Sequence, residues 1–178
     1  MSKLYAIGDT HLGHNNIAKY RPRFATNEEH DDYILSILKE TLRKRDTCYF
    51  LGDIAFTKEA LLKIKSIVCM KKVLVMGNHD AERHGVKMAD LLEVFDQVCA
   101  MTTKKGCWLT HAPIHPDELR GKFNIHGHTH NHNLNDSRYA NVSCENIDYK
   151  PIDLLEVKAF MERGEIMGGA DGVEGGLT

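Results

Sequence analysis

The feature that most constrains this chain is a unit that occurs three times in its first half. A short apolar run leads to a glycine, and an acid or amide follows. Lys3–Ile7 runs into Gly8-Asp9, Thr47–Leu51 into Gly52-Asp53, and Lys72–Val75 through Met76 into Gly77-Asn78. Each run has the length and the apolar or aromatic content of a strand. Between them the spacing turns helical. Thr26 or Asn27 starts a helix with Glu28 and Glu29 in its first turn, Ile34, Leu35, Ile37, Leu38 and Leu42 along one side, and Arg43-Lys44-Arg45 at its end. Lys58–Val68 reads as a second amphipathic helix with Leu61, Leu62, Ile64 and Val68 inward. Alternating strands and helices predict crossover units in a largely parallel sheet. Such sheets hold ligands at the carboxyl ends of their strands, where these glycine-acid corners fall.

The second half has a different texture. Ala89–Phe95 is helical in pattern. Gln97–Thr102 and Gly106–Thr110 read as a hairpin across Thr103-Lys104-Lys105, and Lys122–His126 and Tyr139–Ser143 as further short strands. Strands in succession without long helices predict a second, more antiparallel sheet. Asp153–Glu162 fits a closing helix. From Gly164 to Thr178, six of the fifteen residues are glycine, which predicts a flexible tail after one domain spanning residues 1–163.

Composition narrows the class. A chain of 178 residues with 42% hydrophobic content has enough apolar side chains for one sizeable core. A net charge of -2 argues against a dedicated duplex nucleic-acid binder and leaves room for a nucleotide gripped locally. The five cysteines are widely spaced without a CxxC pair, which fits reduced thiols. No apolar run approaches the ~18 residues of a membrane span, and the first apolar run is too short for a signal peptide. The expectation is a cytoplasmic protein. No residue pattern sets an oligomeric state.

Five polar clusters stand where apolar runs end: Asp9-Thr10-His11, Gly52-Asp53, Gly77-Asn78-His79-Asp80, Thr110-His111 and Gly127-His128-Thr129-His130. Singly, each is an Asx turn, a loop corner or a chance pair of histidines. Gathered at one sheet edge, they supply, with His79 and Asp80 set aside, two carboxylates, a carboxamide and four imidazoles. That is the donor set two divalent cations require, and it contains no thiolate. Mn, Fe, Co, Ni and Zn all suit such donors, with Mn the expected activating ion.

The order Asp-x-His, Gly-Asp, Gly-Asn-His-Asp, His, Gly-His-x-His resembles the calcineurin-like metallophosphoesterase superfamily, from Asp9 to His130. The opening Asp9-Thr10-His11-Leu12-Gly13-His14-Asn15-Asn16-Ile17, with the later Arg21-Pro22, is similar to small bacterial and bacteriophage members without accessory domains. The resemblance implies an α/β fold, a four-layer α/β/β/α sandwich. It implies one metal on Asp9, His11, Asp53 and His130, and a second on Asp53, Asn78, His111 and His128, with Asp53 bridging. Two such ions acidify a bridging water and clamp the phosphorus. The implied activity is hydrolysis of a small phosphoester, with phosphodiesters favoured and nucleotides among the candidates. A phosphomonoesterase or pyrophosphate-cleaving enzyme is the near alternative. A non-catalytic scaffold, a state that usually goes with lost ligands, fits poorly with a complete set.

The resemblance places His79 near the leaving-group oxygen as general acid. Asp80 is expected to orient the His79 imidazole, or else to cap the next helix. His14, Arg21 and Arg23 are candidate substrate contacts, the arginines through phosphate oxygens; the plainer reading makes them solvated loop groups. Where many relatives carry an arginine after Gly-Asp, this chain has Ile54-Ala55-Phe56-Thr57, which shifts the weight to Arg21 and Arg23.

Overall fold

In the computed structural model, which describes residues 1–81 and 85–167, the three repeated runs form the middle of one sheet. They are β1 (Leu4–Ile7), β2 (Thr47–Phe50) and β3 (Lys71–Val75). They pair in parallel, Ile7 opposite Phe50 and Phe50 opposite Leu74. β4 (Gln97–Cys99) extends the sheet beyond β3, and the short β9 (Ile152–Asp153) closes the other edge antiparallel to β1. The helices between are α1 (Ile17–Tyr20), α2 (Asn27–Thr41), α3 (Lys58–Lys65) and α4 (Met88–Val94). Thr26 caps α2, its side chain accepting from the Glu29 N–H at 3.1 Å, and Thr57 caps α3 in the same way from Ala60 at 3.2 Å.

The two-residue period of the strands divides the core into layers. Tyr5, Ile7, Cys48, Phe50 and Leu74 pack outward against Ile34 and Leu38 of α2, Leu61 and Ile64 of α3, and Leu91 of α4. Ala6, Tyr49, Leu51, Val73 and Val75 pack inward against Cys107, Leu109, Ile125, Ala140 and Val142 of the second sheet. The last helix, α5 (Leu154–Glu162), adds Leu154, Val157 and Met161 to that inner layer. Two sheets flanked by helices give the expected sandwich.

The second sheet is mainly parallel, which corrects the antiparallel expectation. Its order is β5 (Thr102–Lys104), β6 (Cys107–Leu109), β7 (Phe123–His126), β8 (Tyr139–Asn141), and only the β5–β6 pair runs antiparallel. The β6–β7 and β7–β8 connections are each about a dozen residues, long enough for parallel crossovers. They carry loop, with one three-residue 3-10 turn at Pro116–Glu118 and no α-helix, so no helical period marked them. The proposed hairpin is also shorter than expected. Gln97–Cys99 belongs to the first sheet, and the chain changes sheets before Thr102. In α3, Leu62 is 36% exposed and Val68 is 56% exposed, not inward. The helix ends at Lys65, and Ile67 takes the buried place that Val68 was expected to fill.

All five cysteines are free. No helix among the described residues is long and apolar enough to cross a membrane. Most of the expected flexible tail lies outside the described residues. The carboxyl ends of the two sheets are stitched together where the polar clusters lie. The Gly8 N–H donates to the Val142 carbonyl at 2.9 Å, and the Cys144 N–H donates to the Gly8 carbonyl at 3.1 Å.

Candidate metal centre

Asp9 and His11 follow β1, Asp53 follows β2, Asn78 and His79 follow β3, His111 follows β6, and His128 and His130 follow β7. Asp9, His11, Asp53, His128 and His130 all have positive φ, between 47° and 70°. Side chains with a Cβ rarely adopt that backbone, and it costs roughly 1–3 kcal/mol per residue. The loops are locked in it by each other. The Asp9 N–H donates to the Gly52 carbonyl and the His11 N–H to the Asp53 carbonyl, both at 3.0 Å.

The donors meet in two groups. Asp9, His11 and His130 bring their ligand atoms within 4.8 Å of one another, and Asp53, His111 and His128 do the same. One atom joins the groups. Asp53 Oδ2 lies 3.9 Å from His11 Nε2 and 3.4 Å from His111 Nε2. His111 Nε2 is also 2.9 Å from Asn78 Oδ1 and 3.1 Å from His128 Nδ1. Each aspartate gives one oxygen to the backbone and turns the other inward. Asp9 Oδ2 accepts from the His128 N–H and Asp53 Oδ1 from the His79 N–H, both at 2.8 Å. His111 Nδ1 faces the Leu51 carbonyl at 2.8 Å, which leaves Nε2 for the cluster.

These residues fit divalent cations on a specific observation. Asp9 Oδ1 and His11 Nε2 are buried without a hydrogen-bond partner. An unsatisfied buried polar atom costs about 1–3 kcal/mol, and a cation beside the first group would satisfy both. The glycines of the motifs serve the same geometry. A Cβ on Gly77 would stand 2.2 Å from Asp53 Oδ1, and one on Gly127 would stand 2.3 Å from Asp9 Oδ2. Gly127→Ala is therefore expected to displace Asp9 and destabilise the fold by about 1–3 kcal/mol. Thermal unfolding with and without Mn checks this. The variant should melt lower and gain less from the metal.

The buried charges pair strongly in the metal-free protein. Burial alone would lower the His111 imidazole, but its hydrogen bond to Asp53 and the Asp53 charge raise it to about 9. Burial would raise Asp53, and His111 outweighs it and holds Asp53 at about 2. Burial lowers His11 and also His128, which in addition faces the His111 charge. The His111 contribution to stability is complete below its ordinary 6.5 and is lost as pH rises through about 9. The Asp53 contribution is present above its ordinary 3.8 and lost as pH falls through about 2. Metal uptake requires neutral imidazole and so releases the His111 proton. Between pH 6.5 and 9 the melting temperature should thus fall for metal-free protein and rise for protein in limiting Mn. Parallel pH series of thermal unfolding check the opposite slopes.

The expected roles of Asp80 and Arg21 are corrected. Asp80 does not orient His79. Its Oδ2 accepts from the N–H groups of Asp53 at 2.9 Å and Gly77 at 2.6 Å, and its Oδ1 from Ile54 at 2.8 Å. It ties the β2 loop to the β3 loop, and burial pushes its carboxyl up against those three donors. Arg21 is 2% exposed and closed to substrate. Its guanidinium donates to the carbonyls of Asp9 at 2.5 Å and Thr10 at 3.2 Å and to Glu145 Oε1 at 2.8 Å. Arg23 pairs with Asp148, donates to the Tyr33 hydroxyl at 2.8 Å, and lies over the Tyr33 ring. Both arginines are held by acids of the segment after β8, Glu145 and Asp148, which sequence adjacency does not reveal.

His14, the other candidate substrate contact, lies beside the centre. Its ring centroid is 6.1 Å from that of His11, and it lines a groove of about 380 Å³ with Gly13, Asn15, Asn16, Phe56 and Thr57. Two residues near the centre escaped the sequence reading. Phe56, which the sequence presents only as part of the arginine-free stretch Ile54–Thr57, stacks against both His11 and His79 at 5.1 Å. Glu145 belongs to no motif, and no local signal marked it. Burial would raise its carboxyl, but its hydrogen bond with His130 and the Arg21 charge hold it at about 2. His130 is raised in turn, since Glu145 outweighs its burial.

The family model of the calcineurin-like phosphoesterases matches residues 2–165. The chain belongs to this family. This phosphoesterase is 30% identical over 186 residues to the uncharacterized protein MJ1445 of Methanocaldococcus jannaschii, covering 94% of the chain and 96% of that relative. It is 28% identical over 162 residues to the Gene 66 protein of Mycobacterium phage L5, covering 73% and 78%. Among solved structures it is similar to the protein of unknown function AQ665 from Aquifex aeolicus, with a TM-score of 0.71 and 29% identity over 90% of this chain and 100% of that one. Membership implies a phosphoester hydrolase of a family that typically binds two divalent metals.

Proposed function

We propose that this phosphoesterase is a two-cation phosphodiesterase acting on a small phosphodiester, with nucleotide esters among its candidate substrates. The observation that carries the reading is the shared oxygen, Asp53 Oδ2, which faces imidazoles of both donor groups. Asp9, His11, Asp53 and His130 would hold one cation, and Asp53, Asn78, His111 and His128 the other. When bound, the cations supply an acidic water and a positive clamp for phosphoryl oxygens. Mn is the favoured activating ion among donors that also suit Fe, Co, Ni and Zn.

The chain's own residues do the rest. Asp9 and Asp53 leave a surplus of positive charge for the phosphate, and neutral Asn78 adds an oxygen without cancelling any of it. His79 is fixed beside the shared carboxylate by its main-chain bond to Asp53 Oδ1 and by its ring on Phe56. Its Nδ1 is buried, which favours Nε2 as the nitrogen giving a proton to the departing alkoxide. The groove beside His14 takes the ester substituent. With Mn, bis-p-nitrophenyl phosphate should be cleaved faster than p-nitrophenyl phosphate. Much faster cleavage of the monoester would sink the diester reading and favour a phosphomonoesterase.

A further inference from the structure

We propose that Glu145 is a positioning residue for the first cation site, acting through His130, an assignment that rests on the two-cation reading above. Glu145 stands in the short turn Cys144–Ile147 after β8, outside every motif of the family resemblance. Its Oε1 lies 3.1 Å from His130 Nδ1, accepts from Arg21 Nε at 2.8 Å, and stands 2.8 Å from Arg21 Nη2 in the ion pair. An imidazole whose Nδ1 is spent in this way is left with Nε2 for a cation.

The same guanidinium donates to the carbonyls of Asp9 and Thr10. One buried ion pair therefore joins the side chain of His130, on the β7 loop, to the backbone that carries Asp9, on the β1 loop. These are two of the three donors in the first group. The pair is anchored further. Arg21 Nη1 is 2.7 Å from His30 Nε2. A guanidinium only donates, so His30 accepts there and donates from Nδ1 to Asp31 Oδ1 at 2.9 Å. Asp31 Oδ2 then accepts from the Gly13 N–H at 2.8 Å, two residues past His11. The β1 loop is thus held on both sides of its ligands.

Among the described residues, no carboxylate stands behind a histidine of the second group in this way. His111 faces a peptide carbonyl, that of Leu51, where His130 faces a carboxylate. A charged acceptor fixes an imidazole more strongly and makes it a better donor to a metal. Loss of Glu145 should consequently weaken one site and spare the other.

Titration of metal-free protein with Mn, following free Mn by its electron-spin signal, tests this. Wild type should take up two equivalents, and uptake of fewer would sink the two-cation reading itself. Glu145→Gln keeps the shape and removes the charge. It should retain one site at wild-type affinity and weaken the other about 10–100-fold. Glu145→Asp keeps the charge opposite Arg21, falls short of His130, and should show the same selective loss. Wild-type affinity at both sites in both variants overturns the assignment while leaving the two-cation reading intact. Equal weakening of both sites, or unfolding of both variants by circular dichroism, makes Glu145 a brace for the fold and overturns it as well.

Discussion

Asp53→Asn is expected to lower phosphoester hydrolysis by at least ~10³-fold and to reduce bound Mn from two ions to at most one per chain. The carboxylate has two jobs at once. Oδ1 holds the His79 N–H at 2.8 Å, and Oδ2 faces His11 and His111. An asparagine has a single oxygen, so it can keep the backbone bond or serve the cations, not both. Its amide hydrogens would also point at one of those two places. Removing one electrostatic partner of a transition state typically costs ~10²–10³-fold, and here an ion and its activated water go with it. Metal content by elemental analysis, with hydrolysis of bis-p-nitrophenyl phosphate, measures both effects. Two bound ions and activity within tenfold of wild type would exclude Asp53 as the bridge.

His79→Ala is expected to separate chemistry from metal binding. No ligand is removed, so two ions should remain. Loss of a general acid costs about 10²–10⁴-fold where the leaving group needs a proton. That describes a sugar or alkyl alkoxide. A nitrophenolate leaves without one, so hydrolysis of bis-p-nitrophenyl phosphate should fall far less. The comparison requires both substrates on the same metal-loaded preparation. Equal losses on the two would take the acid role away from His79.

Neither substitution is expected to destroy the fold, because the core lies elsewhere. Phe50, Leu74, Ile34 and Leu61 pack on one face of the first sheet, and Leu51, Val75 and Ile125 on the other. The centre sits at the rim, in loops whose positive φ values are maintained by hydrogen bonds between loops. Strain concentrated there and a close-packed interior beneath it suit a site that must hold donors at fixed separations.

The first three strands, the two long helices between them and the polar residues at the strand ends were legible in the sequence. A strand's period of two, a helix cap such as Thr26 and a glycine before an acid are local patterns, written in neighbouring residues. What only the tertiary structure decided was where side chains of identical local appearance point. Asp80 turns to three backbone N–H groups, not to the adjacent imidazole. Arg21, which reads as a loop cation, is buried against Glu145, 124 residues away along the chain. The second sheet runs parallel through loops that carry no helical signal. Each of these depends on which distant segments packing brings together, and that is a property of the closed core and not of any stretch of chain within it.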